Sequence, residues 1–96
     1  MHTRQNLSEL LYGEVKSKEI IDLIFNDLEN QLLDKREITI DMKNVSFISV
    51  YFLERLEKFV EKAKSLNVEI EIVNVNPNIY KVFQVGRLKM VLSVCT

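Results

Sequence analysis

Side chains able to do chemistry are sparse in this chain and concentrate in one run, Asp41-Met42-Lys43-Asn44-Val45-Ser46-Phe47-Ile48-Ser49-Val50-Tyr51-Phe52. Asp41 offers a carboxylate and Lys43 an amine. No second acid and no histidine accompany them in the run, so general acid–base work lacks half of its machinery. Asp41 with Asn44 is better explained as the composition of a polar turn. Ser49 carries a hydroxyl that can cap a following helix or take a phosphate, because a helix N-terminus favours negative charge. Tyr51 is either a contact anchor, of the aromatic kind that dominates binding hot spots, or a half-buried packing residue. The run therefore reads as a recognition surface. Asn44, Ser46, Ser49, Tyr51 and Arg55 are its expected partner-binding residues, with Ser49 the candidate phosphosite and no catalytic residue among them.

The remaining reactive groups offer no alternative site. Cys95 is the one thiol, so no internal disulfide can form, and His2 is the one imidazole. Neither has metal-ligand spacing to other residues, and no metal or cofactor is expected. Glycine occurs only at positions 13 and 86, which leaves no Gly-rich phosphate loop. Tyr80 and Arg87 flank an expected helix near the C-terminus, in surface or core-edge roles.

These residues must be positioned by a small fold. Ninety-six residues support one domain. A chain of this size buries roughly 60–70% of its unfolded surface. The apolar fraction of 47%, the charged fraction of 28% and the net charge of −1 are those of an ordinary globular domain. Acids and bases are interspersed, which argues against nucleic acid as a partner and against an anionic membrane surface. With no signal peptide and no apolar run of spanning length, a cytoplasmic location is the expectation.

Ile38, Ile40 and Met42 alternate with Thr39 and Asp41, the period of a half-buried strand over 37–42. A helix of about four turns precedes it. Ser17 caps that helix, Glu19 lies in the first turn, and Ile21, Ile24, Phe25, Leu28 and Leu32 form its apolar stripe to near Asp34. A second helix covers 50–66 with the stripe Leu53, Leu56, Phe59, Val60 and Ala63, closed by Leu66. Val68, Ile70 and Ile72 alternate with Glu69 and Glu71 in the clearest strand. Glutamates at every second position mean that one sheet face meets water, and hence that helices stack on the other face alone. Asn76 caps a third helix with Pro77 as its first residue, Ile79, Val82 and Phe83 as its apolar face and Gly86 as its stop. Residues 89–95 read as a last strand. The expected order is helix, strand, helix, strand, helix, strand, with parallel strands and right-handed crossovers. Residues 1–16 remain open between a helical turn at Leu7–Leu11 and a strand at Leu10–Val15.

The run Ile38-Thr39-Ile40-Asp41, then Val45-Ser46-Phe47-Ile48, then Ser49 to Phe52 before Leu53 and Leu56, resembles the core pattern of the STAS family, the fold of bacterial anti-sigma factor antagonists. Asn74-Val75-Asn76-Pro77 and the helix up to Gly86 extend the likeness over residues 37–95. The resemblance implies an α/β fold of two layers, a small mostly parallel sheet with helices packed on one face, with residues 17–96 as the STAS-like domain. In the family a tetrad Asp-Ser-Ser-Gly holds the phosphorylated switch serine. Here Ser49 stands at the Asp position and Val50 at the phosphoacceptor position, while Tyr51 and Phe52 replace the last two. Val50 has no hydroxyl, so that phosphorylation does not carry over. The family's N-terminal strand pair is expected to be missing or truncated. These departures look like those of a divergent STAS-like group of unknown function, whose members accompany histidine-kinase-like ATPases.

Three readings of function follow. The first is a non-enzymatic signalling module that docks loop 43–49 and the start of the second helix onto a protein, such as a histidine-kinase-like ATPase or an anti-sigma-type regulator. The second is a small-ligand or nucleotide-binding module. The third is a self-associating structural domain, a homodimer joined through the apolar C-terminal run Met90-Val91-Leu92 as an edge strand. An enzyme ranks below all three, because no nucleophile–base pair, metal cluster or cofactor fingerprint is visible.

Overall fold

In a computed structural model that describes residues 7–85 and 93–94, polar–apolar alternation decides the layering. The elements in chain order are α1 (Leu7–Leu10), β1 (Gly13–Val15), α2 (Lys18–Gln31), β2 (Glu37–Asp41), β3 (Val45–Ile48), α3 (Val50–Ser65), β4 (Glu69–Val73), α4 (Pro77–Val85) and β5 (Ser93–Val94). β2 and β4 pair in parallel, with Ile38 beside Ile70 and Ile40 beside Ile72. All four of these isoleucines are buried, whereas Glu37, Thr39, Glu69 and Glu71 on the other face are exposed. β4 pairs in parallel with β5, and β1 in parallel with β3. The α/β architecture of small parallel sheets with one covered face is thus the expected one.

Two expectations about the order of the elements change. The stretch 43–49 is not a single loop. Only Lys43 and Asn44 form a turn, and Val45–Ile48 is a strand. The period-2 pattern that would have announced it is broken, since Val45 and Ile48 are buried three positions apart while Ser46 and Phe47 are exposed. The second change concerns the N-terminal stretch, which holds both alternatives: a one-turn helix at Leu7–Leu10 and a short strand at Gly13–Val15. The element order accordingly has two strands in succession, β2 then β3, joined without a helix. Gly86 as helix stop, Arg87, Met90–Leu92, Cys95 and His2 lie outside the described residues, as does most of the expected 89–95 strand.

The broken period has a local cause. Gly13 pairs with Val45 but Glu14 pairs with Phe47, so Ser46 is an extra residue in β3, a bulge. Beyond it the alternation resumes with reversed parity: Val15 and Ile48 both point into the core, while Glu14 and Phe47 point outward. Opposite the bulge Gly13 adopts φ +64°, a left-handed conformation that costs glycine little. Its N–H donates to the Asn44 carbonyl at 2.7 Å, which starts the β1–β3 pairing at the β2–β3 turn.

The helices close the core from one side. Phe25 of α2 meets Phe52 of α3 edge-on at 5.2 Å between centroids and Phe59 at 6.0 Å. All three rings are buried, and each contributes roughly 2–3 kcal/mol through apolar burial. α2 ends at Gln31 and passes into a turn, three residues before the expected stop. α3 ends in a Schellman arrangement: Val68 N–H donates to the Ala63 carbonyl and Asn67 N–H to the Lys64 carbonyl, with Asn67 at φ +59°. Leu66, expected to close the α3 stripe, is instead half exposed at this cap. Asn76 caps α4 as its sequence suggests, its side-chain oxygen accepting from Ile79 N–H at 3.0 Å. Its amide nitrogen donates to the Val45 carbonyl at 3.2 Å, so one asparagine ties the β4–α4 connection to the start of β3.

A Cβ added at Gly13 would meet nothing within 4 Å, so Gly13→Ala should pay only for the backbone conformation. We expect a loss of about 1–2 kcal/mol, read as a fall in melting temperature of roughly 4–8 °C per kcal/mol by calorimetry. An unchanged melting temperature would show that the left-handed turn is not needed for the β1–β3 pairing.

Candidate functional site

β1 and β3 run in parallel, so both deliver the chain to a helix at the same end of the pair. At that end Val15 and Ile48 lie side by side, and Ser49 N–H donates to the Val15 carbonyl at 3.2 Å. Two capped helix N-termini follow. The Ser17 hydroxyl accepts from Ile20 N–H at 3.4 Å, and the Ser49 hydroxyl accepts from Phe52 N–H at 3.2 Å. Open α/β sheets carry their functional residues outside such carboxyl ends of strands.

The five expected partner-binding residues do not fall into one patch. Asn44 precedes β3 and Ser49 follows it, which separates them by about 16 Å at the usual rise per strand residue. Asn44 is exposed in the turn, and Ser46 is the exposed bulge residue. Ser49 is half-buried, with its hydroxyl occupied by the cap. Tyr51 and Arg55 are also half-buried, and both turn toward α2. The Tyr51 hydroxyl donates to Asp22 Oδ1 at 2.5 Å, and the Arg55 guanidinium donates to the same oxygen at 2.7 Å. A second arm of Arg55 stands 3.7 Å from Glu29, which also has Lys62 at 3.8 Å. Arg55 further lies over the Phe25 ring at 5.4 Å, and Lys18 over the Tyr51 ring at 5.5 Å. These contacts make Tyr51 and Arg55 a clasp between α2 and α3.

The exposed side chains nearest this corner include two apolar ones. Val50, the first residue of α3, is 72% exposed, and Phe47 on the outward face is 48% exposed. Neither exposure is evident from the sequence: Phe47 sits in an apolar run with Val45 and Ile48, and the one sign for Val50 is its alignment with the family's phosphoacceptor position, which must be accessible. Ser49 lies between the buried Ile48 and the exposed Val50, and the exposed Lys18 stands beside the Tyr51 ring.

The other end of β3 is held by a polar brace. Asp41 Oδ1 accepts from the Asn74 side-chain amide at 3.1 Å and from Lys43 N–H at 3.0 Å. The Asn74 hydrogen bond, then that of Lys43, and the nearby Lys43 charge hold the Asp41 carboxyl below its usual 3.8. Its contribution to stability is therefore full above the ordinary carboxylate pKa and is lost as the pH falls through the lowered value. The brace explains Asp41 as a turn residue. Among the described residues no group of His, Cys, Asp and Glu could hold a metal ion, and no helix is long and apolar enough to cross a membrane.

If Tyr51 serves the clasp, Tyr51→Phe should lower stability by about 1 kcal/mol, the worth of a partly exposed charge-assisted hydrogen bond. Asp22→Asn should couple to it in a double-mutant cycle followed by urea unfolding. Strict additivity of the two changes would show that the hydroxyl and the carboxylate do not act together.

The whole stretch, from β1 through the bulge and the capped α3 to the last strand, also corresponds to a known domain. No curated protein matches the chain. The family model of the STAS domain matches residues 14–95, nearly the entire length. This chain belongs to the STAS domain family.

Proposed function

We propose that the protein is a non-enzymatic signalling module that docks onto a protein partner through the β3–α3 corner, with Val50 at the centre of the contact. STAS domains are generally regulatory modules that act through protein partners. The observation that carries the reading is Val50: an aliphatic side chain 72% exposed on the first turn of a helix on which Phe52, two residues on, is buried. Covering such an exposed apolar side chain with a partner removes it from water, which favours association.

The partner that the resemblance favours is a histidine-kinase-like ATPase or an anti-sigma-type regulator. Valine cannot be phosphorylated, so docking at this position is constitutive rather than switched there. Ser49 is a poor substitute acceptor, because its hydroxyl is engaged by Phe52 N–H. Phosphorylation would exchange that cap for a bulkier, charged one. Each serine caps one backbone N–H of its own helix, and no Gly-rich loop stands beside either terminus to cradle a nucleotide phosphate.

The test is a calorimetric titration of the protein with the product of the adjacent gene. Val50→Glu should weaken binding about tenfold or more, as expected for loss of a central contact, and should leave the melting temperature unchanged. Tyr51→Phe should do the reverse. Equal affinity of the wild type and Val50→Glu, or no binding by the wild type, would contradict the proposal.

A further inference from the structure

A further feature of this fold is the outer edge of β1, which carries no second strand among the described residues: β1 pairs with β3 alone. Gly13 N–H reaches Asn44 and the Val15 carbonyl accepts from Ser49, so residues 13 and 15 turn their backbone polar groups toward β3. Strand geometry then turns the N–H and C=O of Glu14, and of Lys16 next along the chain, toward the opposite side. A groove of about 280 Å³ lies there, lined by Leu10, Tyr12, Glu14, Lys16, Ser17 and Ile20. The edge is therefore flanked by α1 and the start of α2 but not sealed by them. Unpaired strand edges are templates for added strands unless charge or cover prevents it.

The charges on this edge select the occupant. Glu14 and Lys16 stand two residues apart, both more than 60% exposed, and their side chains meet each other at 3.1 Å. An antiparallel copy of the same strand, related by a two-fold axis at Val15, brings Glu14 of each copy opposite Lys16 of the other. In that register both residues also present their outward backbone groups to each other, as a hydrogen-bonded antiparallel pair requires. Sliding the axis to Glu14 would set Glu14 against Glu14 of the second copy, a like-charge pair that opposes association. The edge is thus self-complementary in one register and self-repelling in its neighbour.

We propose that the protein forms a reversible two-fold dimer in which β1 of one copy pairs antiparallel with β1 of a second copy, fixed by two reciprocal Glu14–Lys16 pairs. A C2 contact is isologous by nature, and one strand with alternating opposite charges meets that condition. The contact is short, so the dimer is weak and concentration-dependent.

Sedimentation equilibrium of the full chain over a wide concentration range tests this. The wild type should pass from monomer to dimer as concentration rises, and added salt should weaken the dimer. Glu14→Lys and Lys16→Glu should each raise the dissociation constant about tenfold or more, and the double reversal E14K/K16E should restore it. Circular dichroism of each variant verifies folding, and the salt dependence of the wild type supplies a readout that needs no variant. A monomer at every concentration, a dimer indifferent to both the single reversals and salt, or a double reversal no better than the single changes would each overturn the proposal.

Discussion

A sheet covered on one face must send every second side chain inward, and the extra residue in β3 is what lets this chain satisfy that rule at the entrance to α3. Without Ser46 as a bulge, the parity set by Val45 would bury Phe47 and expose Ile48. With it, Ile48 joins Val15 in the core, Ser49 reaches the cap position, and α3 starts with Val50 outward and Phe52 inward. Gly13 is the other half of the device, since its left-handed backbone opposes the bulge and begins the β1–β3 ladder. On the proposed docking surface, Phe47, Ser49 and Val50 all take their orientation from this one irregularity.

The clasp between α2 and α3 then fixes the angle at which that surface is held. Its polar members sit at the rim of the aromatic cluster of Phe25, Phe52 and Phe59. Asp22, Glu29 and Arg55 remain partly solvated, so their ion pairs contribute modestly and their desolvation costs little. The apolar rings beneath them supply most of the stability, while the hydrogen bonds to Asp22 set the register between the helices. Tyr51 and Arg55 thus serve the fold, while the neighbouring Val50 stays exposed and carries the proposed contact.

Much of this was legible in the sequence, for identifiable reasons. Ser17, Ser49 and Asn76 announce helix starts because each is a short polar side chain able to accept a nearby backbone N–H. The glutamates alternating with Ile70 and Ile72 announce a one-sided sheet. β3 was hidden because its bulge destroys the alternation on which strand recognition depends, so Val45–Ile48 looked like loop. Residues 7–15 were ambiguous because a helical turn and a strand follow each other there within a few residues. The clasp left no local sign: Asp22 and Arg55 lie 33 positions apart and meet only through the packing of their helices. Tyr51 and Arg55 therefore looked available to a partner until the facing helix was in place.

Within one short segment the surface is divided, with Phe47 and Val50 outward and Tyr51 turned toward α2. The most direct test is a nuclear magnetic resonance titration of the isotope-labelled protein with the product of the adjacent gene. Amide signals of Phe47 to Val50 and of Lys16 to Lys18 should shift or broaden first, with the Asp22 and Glu29 region of α2 unmoved. Perturbations centred on Glu37, Glu69 and Glu71 on the open sheet face, with the β3–α3 corner silent, would contradict it.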